Sequence, residues 1–152
     1  MKIAIGSDHA GFELKEDLKK SFSQEFDIID VGTNSTESVD YPDFAKKVCD
    51  IILKKDADFG ILICGTGIGM SITANKFKGI YAALCYDTNT ANLARSHNNA
   101  NVICLGGRTT KLNDAIEIVK TFLGSSFEGG RHERRFGKIN DIENTNFKEK
   151  NL

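Results

Sequence analysis

Short apolar runs alternate with amphipathic stretches along the chain, and each pair reads as a strand followed by a helix. Lys2–Ser7 (KIAIGS) predicts a strand, and Phe12, Leu14, Leu18 and Phe22, with Lys and Glu between them, predict a helix over 12–22. Asp27–Val31 predicts the second strand, closed by Gly32. After a polar loop, Pro42 suits a first helical turn, and Phe44, Val48, Ile51 and Ile52 continue a helical stripe to about Lys54. Ile61–Cys64, Ile80–Tyr86 and Asn101–Leu105 predict three more strands. Helices are expected over 70–77, 89–96 and 112–123, the last with Ala115, Ile116, Val119 and Phe122 inward. After Gly129-Gly130, a very polar helix is expected from Arg131 to about Asn144. Five short, nearly continuous apolar strands alternating with helices imply a parallel sheet covered on both faces. The expected fold is therefore α/β: a three-layer α/β/α sandwich, Rossmann-like, with a five-stranded parallel sheet. One domain over 1–146 is expected, with a loose tail over 147–152.

Composition narrows the function without choosing it. The 152 residues carry a net charge of -1, from 20 Lys+Arg and 21 Asp+Glu. No strong basic field favours nucleic acid and no basic amphipathic stretch favours a membrane, so any anion site must come from local clusters. The N-terminus lacks a signal-peptide pattern and no run approaches a membrane span, which predicts a cytoplasmic protein. Cys49, Cys64, Cys85 and Cys104 stand 15, 21 and 19 residues apart, matching no zinc template, and are expected as free thiols. His9, His97 and His132 stand singly, so no metal is expected.

In parallel α/β sheets, ligands bind beyond the carboxyl ends of the strands. Those ends here carry Ser7-Asp8-His9, Gly32-Thr33, Cys64-Gly65-Thr66-Gly67, Tyr86-Asp87 and Gly106-Gly107-Arg108. In Gly65-Thr66-Gly67-Ile68-Gly69, the glycines permit a tight turn and close ligand approach, and the amides opening the next helix suit an anion. A plain strand-to-helix turn is the simpler explanation. A dinucleotide fingerprint is another, with Asp87 on the ribose, but Met70 stands where its third glycine belongs. Cys64 opens the turn, and a helix N-terminus favours a thiolate there, although a buried thiol also fits a core. Asp8 could cap the first helix or handle protons. Gly6 to Gly11 has the spacing of a phosphate loop, but Phe12-Glu13 replaces its Lys-Ser/Thr. His97-Asn98-Asn99 could simply end a helix. This segment is expected at the opposite edge of the sheet from Cys64, so that a two-fold partner would be needed to join them. Arg131 and Arg135, at i and i+4, could clamp a phosphate or form a solvated charged face.

Five stretches together, GSDHAG, DYPDFA, ICGTGIGMSITANK, ARSHNNANV and EGGRHERR, resemble the type B ribose-5-phosphate isomerases, a family shared with galactose-6-phosphate isomerase subunits. The resemblance spans about Met1 to Ile142. It implies an aldose–ketose isomerase without metal or cofactor, acting on ribose 5-phosphate and ribulose 5-phosphate. Six-carbon substrates, allose or galactose 6-phosphate, are the alternative. It implies that Cys64 is the base, because Met70 occupies the position of a glutamate used in a second branch. It implies that Asp8 and His97 assist ring opening, with His97 as acid, and that Thr66 moves protons between the substrate oxygens. Gly65, Gly67, Ile68 and Gly69, with Asn98, would hold the enediolate. His9, Arg108, Arg131 and Arg135 would bind phosphate, and Tyr41 would line the site. A homodimer with a shared site, possibly pairing further into a tetramer, is implied as well.

Overall fold

The computed structural model describes residues 1–147. Its strands are β1 (Lys2–Ser7), β2 (Asp27–Asp30), β3 (Phe59–Cys64), β4 (Ala82–Leu84) and β5 (Val102–Gly106). Its helices are α1 (Phe12–Phe22), α2 (Tyr41–Leu53), α3 (Ile68–Ala74), α4 (Thr88–Ser96), α5 (Leu112–Gly124) and α6 (Arg131–Asn146). The sheet order is β2-β1-β3-β5-β4, and every pairing is parallel. Apart from Phe147, the expected tail lies outside the described residues.

Alternation along the strands builds two cores, one on each face. Ile3, Ile5, Ile61, Ile63, Ile103 and Leu105 point into the layer of α1, α4 and α5. Ala4, Leu62, Cys64, Val102 and Cys104 point into the layer of α2 and α3. The small residues on that second face let α2 lie close: a Cβ built on Gly60 would stand 2.8 Å from Val48 Cγ1. Lys15 of α1 is wholly buried, its ammonium 2.5 Å from Asp30 at the end of β2 and 2.7 Å from Glu16.

Several boundaries differ from those read in the sequence. β4 is three residues long, not seven, because Ile80 and Tyr81 lead into it as irregular chain and Cys85-Tyr86 leave it for α4. β3 begins two residues early, at Phe59, in register with Ile3. α3 begins at Ile68 and ends at Ala74, its last carbonyls closed by Asn75. In α5, Ile118 is buried and Ile116 is only partly so.

The sheet changes direction at its centre. From β1 the chain goes outward to β2 on one side, then returns to β3 on the other. α1 and α2 therefore leave on opposite faces, and the carboxyl ends of β1 and β3 part around a crevice, where this class of sheet binds ligands.

Candidate active site

That crevice is a cleft of about 490 Å³ lined by Asp8, His9, Ala10, Tyr41, Cys64, Gly65, Thr66, Ile68, Gly69, Ile72 and Arg108. Nine of these were expected from the sequence. Ala10 and Ile72 were not, and an exposed Ile72 on α3 carries no chemical signal. A second hollow, of about 450 Å³, runs beside β4 past Leu84, Leu93, Asn98 and Ile139, and holds none of the carboxyl-rim groups.

Backbone ties fix the cleft walls. The Asp8 amide donates to Ile63 O (3.2 Å), the Gly107 amide to Cys64 O (2.7 Å), and the Arg108 amide to Gly65 O (3.0 Å). Three strand ends are thus clamped around one turn. Gly67 takes φ +79°, and an added Cβ would meet Leu84 Cδ1 at 2.6 Å and the Leu105 carbonyl carbon at 2.9 Å. Only glycine fits that turn without strain. Gly69 lies against the Tyr41 ring, where a Cβ would stand 2.5 Å from Cζ.

Cys64 is only 4% exposed, yet its side chain contributes to the cleft. Its Sγ accepts a hydrogen bond from the Gly67 amide at 3.2 Å. The other thiols sit differently: burial pushes Cys49 up to about 12 and Cys85 up to about 11, and raises Cys104 well above its ordinary value. Those three are core residues.

Asp8 is buried, and its Oδ1 accepts from the Ala10 and Gly11 amides at 2.9 and 3.1 Å. The N-cap of α1 is Gly11. His9 Nδ1 accepts the Val39 amide at 3.2 Å, which leaves Nε2 as the proton-bearing atom of a neutral ring. Asp87, the ribose ligand of the dinucleotide reading, is instead the N-cap of α4, accepting the Thr90 amide at 2.6 Å in a capping box. That bond holds its carboxyl below the usual range. Met70 is wholly buried in the core.

His97, Asn98, Arg131 and Arg135 are absent from this cleft. α4 leaves the carboxyl end of β4 and runs back, so its C-cap His97 lies toward the amino end of β5. β5 pairs directly with β3, so the separation from Cys64 runs along the strands and not, as expected, across the sheet to its far edge. There His97 stacks on His132, ring centroids 3.9 Å apart and planes 14° from parallel. Glu128 Oε2 lies 3.9 Å from His97 Nε2 and 3.6 Å from His132 Nε2. Ligand atoms of the three residues all lie within 4.8 Å of one another. The lone pairs of near-parallel rings run side by side and do not converge, a poor arrangement for sharing one metal ion. Sequence reasoning passed over His132 and Glu128. Their i, i+4 spacing was visible, but the Gly129-Gly130 break between them concealed it.

α6 anchors this second cluster: Tyr81 packs its ring on Phe136 at 4.7 Å and donates its hydroxyl to Glu143 at 2.8 Å, with Asn140 beside the same hydroxyl. Arg131 and Arg135 are exposed beside the histidines. Exposed Ile68, Ile72, Leu84, Ile139 and Ile142 lie on α3, β4 and α6.

The sequence profile of the Ribose/Galactose Isomerase family matches residues 3–139. The chain belongs to this family. It is 51% identical over 138 residues to a putative sugar phosphate isomerase of Rickettsia conorii, a match covering 90% of this chain and 96% of that one. It is 46% identical to ribose-5-phosphate isomerase B of Escherichia coli, covering 93% and 96%. Among solved structures, ribose-5-phosphate isomerase B of Clostridium thermocellum superposes with a TM-score of 0.94 at 48% identity, over 96% of this chain and 99% of that one. The Mycoplasma genitalium enzyme with bound ribulose-5-phosphate gives 0.87 at 47% identity, over 93% and 95%. The α/β fold with its parallel five-stranded sheet is therefore the fold of this family.

Proposed function

We propose that the chain is an aldose–ketose isomerase interconverting D-ribose 5-phosphate and D-ribulose 5-phosphate through an enediolate. The observation that carries this reading is Cys64 in the cleft lining, its sulfur accepting the Gly67 amide beside a turn of further amides. The sulfur, as thiolate, takes the proton from C2 of the open-chain aldose. The bonding pair forms a C1–C2 double bond, and O1 gains the negative charge. Amides from Gly65 to Gly69, with Asn98, stabilise that oxygen, and one such donor is worth ~3 kcal/mol of barrier. Thr66 moves the proton from O2 to O1. The sulfur then returns its proton to C1, and C2 becomes the carbonyl. One base serves both steps because C1 and C2 are neighbours. His9, through Nε2, and Arg108 bind phosphate from the carboxyl rim, and Tyr41 walls the cleft.

His97, Asn98, Arg131 and Arg135 form the other half of the site and come from a second copy of the chain. The exposed isoleucines of α3 and α6 and Leu84 of β4 support that pairing as apolar groups that a second copy could cover. A homodimer is the smallest complete enzyme, and dimers could pair further. Residues 1–146 act as one domain. Four free cysteines suit a reducing, cytoplasmic setting.

Steady-state assays on ribose, allose and galactose phosphates test the reading. The highest kcat/KM is expected on ribose 5-phosphate; a six-carbon preference would reassign the substrate. Cys64→Ser should stay folded and lose about a hundredfold or more in kcat. Full activity in that variant would remove the thiol base, and tight NAD binding by calorimetry would revive the dinucleotide reading.

A further inference from the structure

His132 has no role in the reaction described above, yet it is buried face to face with His97. His132 is 7% exposed, whereas His97, at the end of α4, is half-buried. The stack is pinned from both sides. The His97 amide donates to Leu93 O at 2.9 Å, and the Glu128 amide donates to Ser96 O at 3.0 Å, tying the segment before α6 to the end of α4.

His97 is the C-cap of α4. Desolvation, then His97 itself and Arg131, with a smaller push from Arg135, hold His132 below the ordinary histidine range; Glu128 pulls weakly the other way. His132 therefore stays neutral against the His97 ring. A flat neutral ring at 3.9 Å also restricts rotation of the His97 ring, holding its proton in one direction.

We propose that His132 is a positioning residue for sugar ring opening: it holds the His97 ring by stacking, so that the acid faces the furanose oxygen in one fixed orientation. In that step His97 gives its proton to the furanose ring oxygen. The C1–O4 bond breaks with its electron pair going to O4, and the proton of the C1 hydroxyl leaves to Asp8, forming the aldehyde. This inference rests on the isomerase reading and on the shared site.

Ring opening is separable from the thiol chemistry. Ribulose 5-phosphate has no furanose ring to open, so exchange of its C1 hydrogen with deuterium from solvent needs the base but not His97. His132→Ala and His132→Gln should slow isomerisation of ribose 5-phosphate by ~tenfold or more, with kcat falling and KM little changed. C1 exchange in the same samples should stay within about twofold. His132→Phe, which restores a flat ring, should recover isomerisation to within about threefold of the unaltered enzyme. Exchange also reports that each variant is folded. Equal slowing of exchange and isomerisation, or equal isomerisation by the Gln and Phe variants, overturns the proposal; should the Ala variant not fold, the Gln and Phe pair still decides it. An unaltered enzyme that catalyses neither reaction would instead sink the isomerase reading.

Discussion

Cys64 differs from the other three cysteines in what its sulfur touches. A backbone amide donates to it and the carboxyl-rim cleft opens beside it, whereas Cys49, Cys85 and Cys104 pack in the two cores, Cys85 at the edge of the second hollow. Only thiolates alkylate at a useful rate. A thiol held at about 11, as Cys85 is, presents roughly a thousandth of its molecules as thiolate at pH 8, and Cys49 presents fewer still. Iodoacetamide at pH 8 should therefore add once, at Cys64, and ribose 5-phosphate should slow that addition. Peptide mass spectrometry checks it; a first adduct on Cys49 or Cys85, or no protection by the sugar phosphate, would contradict the assignment. The position of this sulfur was legible in the sequence, since an apolar run ending in Cys-Gly-Thr-Gly leaves few other places for it. The stack of His97 on His132 was not, because nothing in local spacing brings the end of α4 against the start of α6.

The element boundaries that the sequence predicted well are those set by local chemistry. α1 begins and ends where its apolar stripe does, and β1 matches residue for residue. The ones that moved, β4 and α3, are set by tertiary contacts: β4 pairs only with β5 along three residues, and α3 begins where Gly67 turns the chain. That turn gives a test. Gly67→Ala forces a Cβ onto Leu84 and the Leu105 backbone at positive φ. It should cost ~2–3 kcal/mol in urea unfolding and lower kcat with it, because the amide bonded to Cys64 moves. A variant as stable and as active as the parent would mean that the turn is not under this constraint. At the other side of the sheet, Asp30 joins α1 to β2. Burial pushes its carboxyl up, but hydrogen bonds from Lys15 and Lys19 outweigh that and hold it below its ordinary value. A depressed carboxyl contributes stability above the unfolded value of 3.8, and the contribution is lost as pH falls through the lower folded value. Asp30→Asn leaves buried Lys15 with Glu16 alone, and should cost ~3 kcal/mol at pH 7 while flattening the loss of stability below pH 4. Urea melts across pH 2.5–7 measure both; an unchanged acid slope would show that Asp30 does not drive it.

At the scale of the whole molecule, the groups assigned to the proposed reaction occupy two separate places. Asp8, His9, Cys64, the glycine turn and Arg108 sit at the carboxyl rim. His97, Arg131 and Arg135 sit with α4 and α6, nearer the amino end of β5. A chain that worked alone would have to carry a proton from one place to the other along the length of a strand. Two copies related by a two-fold axis can instead set the α4–α6 corner of one over the rim of the other, twice, because a two-fold contact is reciprocal. The sequence reading saw that His97 could not reach Cys64 within one chain, but placed it across the sheet; the parallel register places it along the strands. Complementation distinguishes the arrangements. Cys64→Ser and His97→Asn should each be inactive alone, for different halves of the proposed site. Mixed in equal amounts and allowed to exchange subunits, they form half their dimers as hybrids, and each hybrid holds one intact site and one doubly damaged one. Activity should rise from near zero to about a quarter of the unaltered enzyme. Two catalytic groups belonging to the same chain would give no recovery at any mixing ratio, since every chain would carry one of the two lesions into its own site.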